Sequence, residues 1–241
     1  MPAPRQATRA PRQAAETRTS SRSKREGILA AATAYFGEHG YEDTKWADVA
    51  AAVGIGSTAL YHYFESKLHC LYVIMAEALA SFQSDFERIT SEHDDFLDAL
   101  VLVLRSGYEL SEQEVLRNRV LVAEQGLVGV PRESQREEEA RQLARARTRD
   151  IEFAWATFLV RGMEQGHIPR SDARLLTRAL LGLYNSIWHW YRPRGTLGLD
   201  ELSEFFIARQ LALLSLPAEL ADRKPGSQAE PARRRTRRSR R

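Results

Sequence analysis

The sequence predicts an all-α fold of two domains. Three observations lead there: apolar residues recur at helical spacing from Ile28 to Leu214, no stretch alternates with the two-residue period of a half-buried strand, and capping or breaking residues stand between the periodic stretches. The pattern divides into a three-helix unit over 23–67 and a larger helical unit over 68–216, flanked by basic segments at 1–22 and 217–241.

The first helix is expected to begin at Ser23-x-x-Glu26, a capping box in which hydroxyl and carboxylate satisfy backbone donors. Ile28, Leu29, Ala32, Tyr35 and Phe36 form its apolar face, and Gly40 ends it. A second helix carries Val49, Ala50 and Val53, and Gly54 supplies the left-handed residue that stops it. A third starts near Gly56 or Ser57 and runs through Tyr63. Ile55 and Leu60 close the angle against Ala50, which is small enough to let the two helices cross. This is the spacing of a helix-turn-helix, whose second helix lies in a DNA major groove. Ser57, Thr58, Tyr61 and His62 then face outward, where hydroxyls and an imidazole meet phosphates and base edges.

Leu68, Leu71, Tyr72, Met75, Leu79, Phe82 and Phe86 form one stripe, giving a connecting helix over roughly 66–90. Further helices follow near 94–107, 112–127, 132–166, 171–191 and 200–215. Their boundary signals are a capping box at Ser111-x-x-Glu114, Pro131 before a start, Gly166 near a stop, Pro193 and Gly195 in a link, and Asp200 as a cap. Between Arg132 and Asp150, acids and bases alternate at i, i+4, the pattern of the exposed half of a long helix. Its continuation turns apolar around Phe153, Trp155, Phe158, Leu159 and Met163 and is expected to wall a cavity. Over 175–195, Leu176, Leu180, Leu183, Ile187 and Trp190 make one apolar face, and Leu181, Tyr184 and Trp188 a second. A helix with two apolar faces has two partners, here its own core and a second subunit.

Composition bounds the function. The chain has 241 residues, 43% of them apolar, which suffices for a small domain and a larger one with its own core. A single Cys permits no intrachain disulfide and no cysteine-based zinc cluster, so a reducing compartment is expected. No apolar run approaches the roughly 18 residues a membrane helix needs, so the expectation is a cytoplasmic protein without membrane contact. The net charge of +3 is unevenly spread: residues 1–25 carry +6, 217–241 carry +6 and the body −9. Both ends have almost no large apolar residue, and 1–22 and 217–241 are expected to be disordered when free. The N-terminal arm is placed to track a phosphate backbone; the far tail reads as non-specific DNA affinity or a solvated end.

The residues Phe36, Gly40-Tyr41, Thr44, Ala50, Gly54, Leu60-Tyr61, Tyr63-Phe64 and Ser66-Lys67 stand in an order and spacing that resembles the DNA-binding domain of the TetR family of bacterial transcriptional regulators. The resemblance implies double-stranded operator DNA as partner. It makes Thr44 and Lys45, Ser57, Thr58, Tyr61 and His62 on the recognition helix, and Lys67 at the next helix start DNA contacts. It also implies a homodimer joined through the last two helices, and a small-molecule effector. The stretch from Arg161 to Leu214, with its Trp-x-Trp-Tyr-x-Pro-x-Gly ending, is similar to the C-terminal region of members that respond to acyl-coenzyme A thioesters and control lipid or sterol catabolism. On that reading Trp155, Leu159, Arg178, Tyr184, Asn185, Trp188 and Arg192 bind the effector, with guanidinium groups, Arg161 among the candidates, available to phosphates. An unrelated apolar effector, as in efflux regulators, and a helical adaptor role are the alternatives. No enzyme, cofactor or metal is expected: Glu92-His93-Asp94-Asp95 suits a helix start, and no phosphate loop or nucleophile elbow occurs.

Overall fold

In the computed structural model, which describes residues 10–223 and their side chains from Arg22 onward, every regular element among the described residues is helical. Helices α1 (Ala10–His39), α2 (Trp46–Ala52) and α3 (Ser57–Tyr63) form the N-terminal unit. The larger unit comprises α4 (Lys67–Glu92), α5 (Phe96–Ser106), α6 (Glu112–Ala123), α7 (Gln135–Glu164), α8 (Ala173–Trp190) and α9 (Leu199–Leu213), with 3₁₀ turns at Gln125–Gly129 and Ala218–Asp222.

The small unit closes as the spacing predicts. Ile28, Ala32 and Phe36 of α1 are buried with Val49 and Ala50 of α2, Leu60 of α3 and Phe64. Gly40 and Gly54 end α1 and α2 at φ +95° and +67°, a region that costs a residue with a Cβ about 1–2 kcal/mol. In the larger unit α4 packs along α7, α7 on α8 and α8 on α9, around the wholly buried Phe96 and Leu100 of α5. The ring of Phe96 lies so close to Gly162 of α7 that a Cβ there would meet its Cζ at 2.3 Å. The buried apolar cluster runs without a break from α1 to α9. Helix α4 therefore belongs to both units, its start against the small one and its length against α7.

Several boundaries differ from expectation for local reasons. Helix α1 starts at Ala10, not near 23, because Ala, Gln, Glu and Arg between 10 and 22 are good helix formers. Ser23 and Glu26 thus lie inside it, and Glu26 pairs with Arg22 at 3.1 Å instead of capping. Of the arm expected to be disordered, 10–22 is helical and 1–9 lies outside the described residues. Of the tail, 217–223 packs on the core: Leu220 and Ala221 sit against it, and Arg223 pairs with Asp98 in the first turn of α5. Residues 224–241 lie outside the described residues. The Ser111–Glu114 capping box is present in full, whereas Asp200 is not a cap, since α9 starts after Gly198.

The buried face of α8 is Thr177, Leu180, Tyr184, Ile187 and Trp188. Trp190, expected inside, is 47% exposed. Phe153, expected on a cavity wall, is 75% exposed on α7. Both are one helical step away from the face that packs.

Candidate DNA-binding face and effector cavity

Ser57, Thr58, Tyr61 and His62 all emerge on the exposed side of α3 while Leu60 is completely buried, so the outward row expected from the sequence exists. Lys45, the residue before α2, is exposed beside it. Thr44 and Lys67 are placed otherwise. The Thr44 side chain is buried, and its hydroxyl donates to the Gly40 carbonyl at 2.7 Å. The Lys67 ammonium donates to the carbonyls of Tyr41 at 2.7 Å and Thr44 at 3.0 Å and lies 4.2 Å over the Tyr41 ring. With its donors on the carbonyls of the 41–44 turn, Lys67 pins that turn to the start of α4. Burial beneath it holds the Tyr41 phenol well above its ordinary range.

Three attachments join this face to the larger unit. Ser66 donates to Glu137 and Ser134 to Glu65, so the N-terminus of α7 grips the link between α3 and α4 from both sides. Next to them His69 accepts from the Glu65 N–H at 3.2 Å, and burial together with the facing Arg136 lowers its pKa. On the opposite side, Arg119 of α6 donates from Nε to the Gly37 carbonyl in the last turn of α1 at 3.0 Å and from Nη1 to the Tyr191 carbonyl after α8 at 2.5 Å. Leu116 fills the space that a Cβ on Gly37 would occupy, 2.8 Å away.

A cavity of about 240 Å³ lies between α4, α6, α7 and α8. Apolar groups make most of its wall, among them Leu79, Phe82, Leu121, Ile151, Leu181 and Trp188. The polar groups are few: Asn118, Tyr184 and Asn185 inside, with Gln125, Thr148 and the pair Glu152–Arg178, 3.8 Å apart, at the surface. Tyr184 is tightly held, accepting from Asn118 Nδ2 at 3.1 Å and donating to the Gly107 carbonyl at 3.1 Å. Burial raises its pKa, so the phenol stays a neutral hydrogen-bonding group.

Of the expected effector residues, the structure brings Arg178, Tyr184, Asn185 and Trp188 to this cavity. It excludes three. Trp155 lies behind the wall against Phe86 and a void of only about 10 Å³, and Leu159 is fully buried in the core. Arg192 is exposed past the end of α8, its guanidinium on the His189 and Tyr191 carbonyls. Sequence reasoning missed Asn118, Thr148 and Glu152, polar residues on helices read only for apolar faces, and it missed Arg119, one arginine among many.

Family models match two stretches of the chain: bacterial regulatory proteins of the tetR family over residues 28–71, and a tetracyclin repressor-like C-terminal domain over 115–214. The HTH-type transcriptional repressor KstR2 of Mycobacterium tuberculosis is 27% identical over 188 residues, covering 77% of this chain and 90% of that one. The crystal structure of PfmR, a TetR family transcriptional regulator from Thermus thermophilus, is 30% identical with a TM-score of 0.63, covering 78% of this chain and 97% of that one. AibR, solved in complex with isovaleryl coenzyme A and operator DNA, shares the fold at 21% identity and a TM-score of 0.64, over 77% of this chain and 97% of its own.

Proposed function

The chain belongs to the TetR family of DNA-binding transcriptional regulators, which are not enzymes, and from that membership we propose a homodimeric repressor that an apolar effector releases from its operator. The observation that carries the effector half is the mostly apolar cavity with its few fixed polar groups, the usual make-up of a small-molecule site. Three of its four walls are helices that touch the DNA-binding unit. Helix α4 carries Leu79 and Phe82 at the cavity and Ser66 at its cap; α6 carries Asn118 at the cavity and Arg119 on α1; α7 carries Ile151 at the cavity and Glu137 on Ser66. A ligand that wedges these helices apart changes how the recognition helix is held, and two sites linked through shared rigid elements couple by about 1–3 kcal/mol in typical cases.

For the effector we favour an acyl-coenzyme A thioester. The cavity is smaller than the roughly 300–1,000 Å³ that encloses a whole drug-sized ligand, so it suits an acyl group whose carrier remains outside. Arg178, 69% exposed at the mouth, is positioned to meet a phosphate there. KstR2 is named a repressor, and AibR shows that the fold holds a coenzyme A thioester together with operator DNA. For the dimer, Leu175, Trp190, Phe205 and Leu213 present apolar surface on α8 and α9, which a two-fold partner would cover while spacing two recognition helices for two half-sites. The deciding experiment incubates the purified protein, bound to its own upstream DNA, with a panel of thioesters and the matching free acids. Release by thioesters alone supports the reading; equal action of acids and thioesters removes the coenzyme, and no release by any apolar compound removes the effector site.

A further inference from the structure

The cavity does not end at a solid wall. Ala78, Phe82, Asn118 and Tyr184 line it, and the same four residues line a second void of about 40 Å³ toward α5, bounded also by Gly107, Ser81, Asp85, Glu114 and Arg117. The two chambers are therefore separated by a partition one side chain thick. Its members are not equally fixed. Tyr184 has hydrogen bonds to Asn118 and Gly107, and the missing Cβ of Gly107, which would sit 3.1 Å from Tyr184 Cε2, is what lets the phenol lie flat against α5. Phe82 is half-buried and is held by ring contact with Tyr184, centroids 5.6 Å apart, with no polar anchor to break. Rotation between staggered positions moves its ring out of the partition.

We propose that Phe82 is the specificity-determining partition between two chambers of one effector site, and that the effector is an apolar chain whose far end carries an oxygen. This rests on the reading of the cavity as an effector site. The larger chamber is walled mostly by apolar groups and takes the body of the chain. The smaller is bordered by polar groups of both kinds, Ser81, Arg117 and Asn118 with the carboxylates of Asp85 and Glu114, so a hydroxyl that passes Phe82 finds donors and acceptors there, whereas a bare methyl end would displace water from them without replacing its hydrogen bonds.

The test uses full-length protein, coenzyme A thioesters of straight-chain acids of increasing length, each plain or with a terminal hydroxyl, and calorimetric dissociation constants. For plain chains affinity should improve about fourfold per methylene until the larger chamber is full, then level off. A terminal hydroxyl should weaken binding of chains below that length and strengthen binding of chains beyond it by about fivefold, the usual worth of one hydrogen bond. Phe82→Ala should remove the levelling-off, Phe82→Leu should shift it to longer chains, and Phe82→Trp to shorter ones, with a cooperative urea transition for each variant as the control for folding. The same break in the series for every Phe82 variant, or a hydroxyl that weakens binding at all lengths, overturns the partition. Failure of every thioester and free acid to bind the unaltered protein instead overturns the effector reading beneath it.

Discussion

Arg119 caps two helices of different units with one guanidinium, so its removal should register both in stability and in communication. The carbonyls it reaches lie at the C-terminal ends of α1 and α8, where helices leave acceptors unmet and their dipoles favour a cation. Arg119→Met keeps most of the stem that packs between α1 and α8 and deletes both charged donors. A hydrogen bond to a charged group contributes about 1.5–3 kcal/mol; with the side chain half-buried and water able to replace part of each bond, the pair should be worth about 2–4 kcal/mol. Urea unfolding at fixed protein concentration measures this as a lower midpoint with an unchanged slope, and the fixed concentration keeps any association term constant. Arg119→Lys, able to reach one carbonyl, should recover about half. At effector concentrations that release the unaltered protein, Arg119→Met should keep effector affinity and lose most of the change in operator affinity. A stability loss below about 0.5 kcal/mol, or full release with the bridge gone, would refute the view that Arg119 ties the two units.

Lys67→Met should destabilise the DNA-binding unit by about 1–2 kcal/mol in thermal unfolding yet leave the salt slope of operator binding unchanged, because its ammonium is bound to the 41–44 turn; a slope lower by about one unit would restore it as a phosphate contact. Tyr61→Phe, on the exposed row of α3, should weaken operator binding by roughly 0.5–1.5 kcal/mol without changing stability, as titration of labelled DNA would show. Gly162→Ala should cost about 3 kcal/mol or more, since its methyl would collide with the fully buried Phe96 ring, and a normal melting temperature would mean that ring is free to move. The Arg141 guanidinium, with the Arg132 N–H and Gln142, holds the Glu138 carboxyl down at about 2 from an ordinary 4.5. A depressed carboxylate contributes stability present above 4.5 and lost as pH falls toward 2, so acid unfolding should be shallower over that window in Glu138→Gln.

How much of this was legible beforehand follows from what each feature depends on. Helical period, the Gly40 and Gly54 stops, the Ser111–Glu114 box and the outward row on α3 depend on residues within a few positions of one another, and the sequence by itself determined them: an all-α chain, its helix-turn-helix and most helix ends to within a few residues, the start of α1 being the large exception. Periodicity gave α8 two apolar sides and assigned the one with Tyr184 and Trp188 to a second subunit; it is the resemblance that made Tyr184, Asn185 and Trp188 effector residues, and they line the cavity. Only the tertiary structure decided which polar groups are spent. The resemblance makes Thr44 and Lys67 DNA contacts, yet their donors meet carbonyls of the 40–44 turn, a pairing set by how α4 lies across it. Arg192, two residues past the end of α8, points out along the surface, while Arg178 reaches the cavity mouth. The bridge from Arg119 to Gly37 spans 82 positions, and the grip of Glu137 on Ser66 spans 71. An exposed arginine or glutamate on a helix looks the same in sequence whether solvent or a distant carbonyl receives it; the difference lies in the packing of helices far apart in the chain, which no local pattern encodes.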